Sequence, residues 1–316
     1  MYDNNSKGIS YTAGFFILIG FTIAALFASA LISLPVWTGM TGQSIHNMEK
    51  DMSNPAYSSA IKIIAVITAV IGFLIPTILT ALLLSRKPMK LLGFSGRING
   101  NQLALVLLIV IFSLLVSSSL AYFNELIPLT ENLRSLFDRL EKEYNDQVEV
   151  IISLNNSTDF IIALVIMAFL PALCEEALFR GGLQNFLTRS TNKPWLSIII
   201  VSIIFSIVHF SFYGFLSRFF LGVMLGLLFH LSGRLWLSIL AHFLNNAAAI
   251  TVIYIYKLQG KSIKDAIAES ESTWWGMLAL PVVIILFVWL HRFSKKGKEE
   301  SETPVPARSE SGDLFY

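Results

Sequence analysis

Apolar runs long enough to cross a bilayer recur along the chain, separated by short polar connections. A hydrocarbon core about 30 Å thick takes roughly 20 apolar residues per helix. Residues 13–37, 63–84 and 103–124 are uncharged and reach that length. Residues 160–188 form a fourth run, and 195–217 and 235–256 are uncharged apart from one histidine each. Residues 219–233 and 274–290 are shorter and draw on their flanks. The pattern predicts eight transmembrane helices. Ala28-Ser29-Ala30 looks like a signal cleavage site, but the run around it is too long for a signal peptide and reads as a retained helix.

The period changes between residues 124 and 158. Leu129, Leu133, Leu136, Phe137, Leu140 and Tyr144 recur at helical spacing with acids and bases between them. This predicts an amphipathic helix at the outer surface, a lid or packing element rather than a site. From about Gly297 onward Ser, Glu, Pro, Lys and Gly dominate, and disorder is expected. The organisation read from these breaks is a three-helix membrane region (1–123), an extramembrane segment (124–158) and a membrane core (159–256). A last loop and helix (257–293) and a polar tail (294–316) follow.

Composition agrees. The 316 residues are 54% hydrophobic and 14% charged, where soluble domains carry about 25% charged residues. The fold class is therefore an all-α polytopic membrane protein. A net charge of +2 gives no case for nucleic-acid binding. The single cysteine, Cys174, excludes an intrachain disulfide, and its apolar flank points to packing. Loop charge orients the spans, since cytoplasmic loops favour Lys and Arg. The 85–102 loop has Arg86, Lys87, Lys90 and Arg97 and no acid, whereas 124–159 holds eight acids against three bases. Arg189, Lys193, Arg292, Lys295, Lys296 and Lys298 continue the alternation. Both termini are expected in the cytoplasm, with the chain integral to a bacterial inner membrane.

Against this background a few ionisable groups fall at membrane depth, where each costs ~2.5–3.5 kcal/mol on insertion scales and marks a functional candidate. Residues 160–174 carry no charge, and then Glu175, Glu176 and Arg180 arrive together. Successive helical residues project about 100° apart, so the two carboxylates are expected in different surroundings. Glu176 and Arg180, four apart, suit an ion pair. Glu175 is left without a local partner, the expected form of a general base facing a cavity. His209 follows Phe205 by four residues and His242 precedes Asn246 by four, each pair along one face. Asn246 could orient His242 or donate to an oxyanion. His230, at a helix end, reads as interfacial; His46 and His291 receive no role.

These residues reproduce Glu-Glu-x-x-x-Arg ("EEALFR"), Phe-x-x-x-His ("FSIVH") and His-x-x-x-Asn ("HFLNN") in order. The chain resembles the CAAX protease and bacteriocin-processing family of intramembrane endopeptidases, which includes the Ras-converting CAAX endopeptidases. The resemblance covers roughly residues 159–256. It implies that Glu175 is the catalytic carboxylate, that His209 helps activate water, and that His242 and Asn246 bind that water or the oxyanion. Glu176, Arg180 and Phe205 are implied as supporting residues. The substrate would be a membrane-embedded or lipid-associated peptide or protein.

Two mechanisms stay open. In one, Glu175 and His209 deprotonate water directly, with no cofactor. In the other, Glu175, His209 and His242 hold a divalent metal, zinc by donor type. A His-Glu-x-x-His helix is missing, which favours the first. A non-proteolytic membrane protein, such as a bacteriocin-immunity factor or a transporter, is the alternative; charge confined to the second half argues against inverted transporter repeats. Counted from the expected helix starts, Glu175 and His242 fall in the cytoplasmic half and His209 nearer the outer face. A working site therefore requires the helix carrying His209 to start later or tilt.

Overall fold

The computed structural model describes residues 5–94, 98–152, 154, 156–261 and 273–302. Among the described residues nine helices carry the fold. They are α1 (Tyr11–Thr41), α2 (Pro55–Leu84), α3 (Gly100–Glu125), α4 (Glu131–Ile151) and α5 (Ser157–Thr191). After these come α6 (Pro194–Ile207), α7 (Phe215–Ser232), α8 (Leu235–Leu258) and α9, whose apolar part is Trp274–Ser294. Seven of them are long and apolar enough to cross a membrane, and α6 is a shorter apolar helix of 14 residues. No named strand occurs among the described residues; Ser6 and Ser85 form one isolated bridge. The protein is an all-α polytopic membrane protein.

The ends of the spans are set by local chemistry. Ser10 caps α1 by accepting from the Ala13 amide, and Gly42 closes it in the left-handed region at φ 67°. Asn99 and Gln102 form a capping box at the start of α3. The α9 backbone stays helical to Glu302, past Gly297, where a disordered tail was expected to begin. The rest of that tail and Arg97 lie outside the described residues. Apolar side chains such as Phe16, Phe27 and Leu31 on α1 and Ile111 on α3 stay exposed, as expected where lipid, not water, is the solvent.

The start of α1, the end of α2, the start of α3, the end of α5 and the end of the apolar part of α9 gather at one end of the bundle. The Lys7 amide donates to the Leu84 carbonyl (3.0 Å), Arg189 to the Tyr11 hydroxyl (3.4 Å), and Gln102 to Ser294 (3.1 Å). The amphipathic α4 follows the opposite end of α3 and packs on α2.

Two features depart from simple spans. First, α5 widens to π-helical turns at Leu164–Phe169 and Ala177–Gln184, on either side of the paired glutamates. Such widenings are rare and concentrate at functional sites. Second, the apolar stretch 195–217 is not one helix. It stops at Ile207, and Phe210 adopts φ 51°. The turn keeps its polar groups satisfied, as non-helical backbone inside a bilayer must. Asn124 on α3 donates to the Phe212 carbonyl (2.8 Å) and accepts from the Leu216 amide (3.0 Å). Ser206 donates to the Phe215 carbonyl (2.7 Å).

Small residues bring the core helices close enough for polar contact. A Cβ on Gly222 of α7 would lie 2.8 Å from that of Ser202 on α6, and one on Gly181 of α5 would lie 3.0 Å from the Leu92 carbonyl. With the backbones this near, Arg180 on α5 reaches the Gly222 carbonyl (3.2 Å) and Gln184 reaches that of Gly226 (3.0 Å).

Candidate active site

The site forms where α5, α7, α8 and the turn after α6 meet. Glu176 and Arg180 make the expected pair at 2.5 Å, both shut away from solvent. The guanidinium also lies 4.7 Å over the ring of Phe205, a fully buried core residue. That cation–π contact offsets part of the burial of charge.

Glu176 does more than neutralise Arg180. The same oxygen, Oε1, accepts a hydrogen bond from His242 Nδ1 at 3.0 Å. Of the two roles open to Asn246, orienting His242 has no contact behind it, because no hydrogen bond joins those two and Glu176 holds the imidazole instead. Asn246 instead accepts from Asn245 (3.2 Å), and both line the cavity described below. Glu176 Oε2 and Arg180 Nε are buried without a hydrogen-bond partner among the described residues.

His209 sits in the turn past α6. A 14-residue helix spans only about 21 Å, less than a membrane core, so α6 ends short of a full span and its following turn brings His209 to 4.0 Å from Glu175. The depth mismatch read from the sequence disappears for that reason. His209 Nδ1 donates to the Phe205 carbonyl at 2.7 Å. Both imidazoles therefore carry their proton on Nδ1, tied backward, and offer a bare Nε2 forward.

Both bare nitrogens face Glu175. His209 Nε2 is 4.0 Å and His242 Nε2 is 3.9 Å from Glu175 Oε2. Glu175 Oε2 is itself buried with no hydrogen-bond partner among the described residues. The two glutamates thus occupy different surroundings yet meet opposite edges of one imidazole.

A carboxylate with two neutral imidazoles is a common zinc donor set. Bonds of about 2.0–2.1 Å would put tetrahedral donor–donor edges near 3.3 Å, by the same bond lengths; the two gaps here are 4.0 and 3.9 Å. The three groups do not close around a zinc ion in this arrangement, and no cluster of three or more His, Cys, Asp or Glu suited to a metal occurs among the described residues. Gaps of this size are bridged by a water at ordinary hydrogen-bond distance, about 2.8 Å from each atom.

The three residues open on a cavity of about 490 Å³ that Asn245, Asn246 and Arg218 also line. Tyr144, Val148 and Ile151 of α4 form part of its wall, so the amphipathic helix helps enclose the site. The turn carrying His209 is fastened to α4. Ser211 donates to Glu141 (2.7 Å), Tyr213 to Asp138 (2.6 Å), and Phe212 stacks on Phe137 with centroids 4.4 Å apart. Asp138, by accepting that hydrogen bond, raises the Tyr213 pKa above its ordinary 10.0. A depression of about 500 Å³ lined by Asn101, Ala104, Leu105, Trp289, Arg292 and Phe293 holds no acid or histidine. Cys174 is fully buried, and His230 is exposed in the last turn of α7.

Arg218 escaped the sequence reading. A signal was present: it is the one charged residue between Lys193 and Arg234.

No curated protein and no solved structure matches the chain. Residues 157–248, which carry Glu175, His209, His242 and Asn246, match the family described as type II CAAX prenyl endopeptidase Rce1-like.

Proposed function

We propose that the protein is an intramembrane endopeptidase that hydrolyses a peptide bond of a membrane-associated substrate, with Glu175 as the base. One observation carries the reading. A buried carboxylate oxygen without a hydrogen-bond partner faces two imidazoles whose Nε2 atoms, 4.0 and 3.9 Å away, are both free to accept.

The steps follow from these groups. Water held between Glu175 Oε2 and His209 Nε2 gives its proton to Glu175 as its oxygen attacks the scissile carbonyl. The Phe205 carbonyl fixes His209 so that Nε2, not Nδ1, meets the water. Glu175 relays that proton to the bare Nε2 of His242, 3.9 Å away, and the imidazolium donates to the developing oxyanion together with the Asn246 amide. Its positive charge is held by Glu176, which already binds Nδ1. The proton then returns through Glu175 to the leaving amine, and the carbon–nitrogen bond breaks. Exclusion of bulk water by α4 strengthens each of these contacts. No step requires a metal.

The family match supports a membrane endopeptidase; the base, the partner roles and the absence of a metal step are our reading. The bundle end that gathers Arg86, Lys87, Lys90, Arg189 and Lys193 we assign to the cytoplasm, by the positive-inside rule.

The test is substrate trapping in the native host. With Glu175→Gln in place of the wild-type chain, one or more membrane proteins should accumulate uncut, and the purified wild-type chain should then cleave them. A membrane proteome identical in the two strains, with the variant inserted and folded, overturns the proposal.

A further inference from the structure

The proposed mechanism leaves one charge in the cavity unused. Arg218, in the first turn of α7, lines the same wall as Glu175, His209 and His242. Its Nη1 is buried and makes no hydrogen bond to any described residue. The guanidinium forms no ion pair with a described Asp or Glu, and its recorded contact is the ring of Tyr144 on α4, 5.2 Å away. Among the described cavity-lining residues Glu175 is the only acid and Arg218 the only lysine or arginine.

A guanidinium nitrogen shut away from water is costly to leave unpaired. The fully buried arginine of the core, Arg180, shows what the fold does when the charge is structural. It has a carboxylate at 2.5 Å, a carbonyl at 3.2 Å and an aromatic face. Arg218 has the aromatic face and neither oxygen. Its position is also held. A Cβ on Gly214, one turn earlier, would collide with the Arg218 guanidinium, so the glycine leaves the room the side chain occupies. The planar fork of an arginine fits a carboxylate through two parallel hydrogen bonds.

We infer that Arg218 is a specificity residue that binds a carboxylate of the substrate. This inference rests on reading the cavity as the substrate site. The carboxylate could come from a free peptide C-terminus or from an Asp or Glu side chain, and the two are separable by experiment. The guanidinium lies over the Tyr144 ring of α4, so a bound carboxylate would also tie the substrate to that helix.

The test is a binding measurement on the full chain carrying Glu175→Gln, in detergent, so that cleavage does not intervene. Three fluorescent N-dodecanoyl octapeptides serve as probes. One ends in a free carboxylate and has no acidic side chain, one ends in an amide and has a single Glu, and one ends in an amide and has no acid. A charge-assisted pair predicts that at least one carboxylate probe binds about ten- to a hundredfold more tightly than the neutral probe. The arm that gains identifies the source.

Adding Arg218→Gln should collapse that ratio towards one, and Arg218→Lys should restore part of it. Gly214→Ala should lower it while keeping the charge. Equal binding of the three probes, no binding of any, or a preference that persists in Arg218→Gln overturns the inference. The proteolytic reading is decided separately by cleavage with the wild-type chain, so either can fail alone.

Discussion

On one side of His242 lies a sealed polar cluster, and on the other an open one. The sealed side holds Glu176 and Arg180, with side-chain exposures of 0% and 1%, paired to each other and roofed by Phe205. The open side holds Glu175 and His209, exposed at 15% and 25%, separated by 4.0 Å and facing a cavity. Both sides set a glutamate against a cation or an imidazole, and both sit in apolar helices. They differ in whether the protein itself supplies the partners. Where it does, the charge is architecture. Where it does not, a polar atom is held ready for water and substrate.

Breaking each side should therefore give different symptoms. The largest effect expected is on the rate of Glu175→Gln. A positioned general base contributes about 10²–10⁴-fold, so single-turnover cleavage of a trapped substrate should fall by that factor with the fold intact. Next comes Arg180→Met, which leaves Glu176 buried without its cation. Removing one partner of a buried pair costs about 3–5 kcal/mol, and the variant should show a lowered unfolding midpoint in detergent. Chelation by EDTA sharpens the contrast further, since the open side works without a metal in this account. Activity should survive it, and loss of activity restored by zinc would replace the water-based scheme.

The smallest effect concerns the fastening of the turn to α4. The raised Tyr213 pKa comes from its hydrogen bond to Asp138. A group raised in the folded state adds stability that is fully present below its ordinary value of 10.0 and is lost as pH rises through the folded value. Phenolate absorbance should thus appear at higher pH in the wild-type chain than in an Asp138→Asn variant. Hydrogen exchange of α4 should accelerate over the same rise. Identical titrations would show that the bond does not fasten the turn.

How much of this was written locally in the chain varies by element. The apolar runs and the pairing of Glu176 with Arg180 were legible because they depend on spacing along one helix. The second partner of Glu176 was not, because His242 lies 66 positions away and meets it only when α8 packs against α5. The end of α6 was equally hidden. Val208, Phe210 and Phe212 continue the apolar run, and what stops the helix includes Asn124 bonding to the turn from 88 and 92 positions away. The π-helical widenings around the glutamates have no local signature either. Arg218 was visible as a lone charge, but only the cavity gives it meaning.

The division between the two glutamates is the central claim, and the paired substitutions Glu175→Gln and Glu176→Gln test it most directly when unfolding midpoint and cleavage rate are measured on the same samples. Neutralising Glu175 removes a buried carboxylate whose Oε2 has no partner, so its midpoint should hold or rise while cleavage is lost. Neutralising Glu176 strips both Arg180 and His242 of their anion, so its midpoint should fall. Its cleavage rate should drop less, by about ten- to a hundredfold, as for other residues that orient a working imidazole. Midpoints and rates that fall together in both variants, or a Glu175→Gln chain that still cleaves at the wild-type rate, would contradict the account.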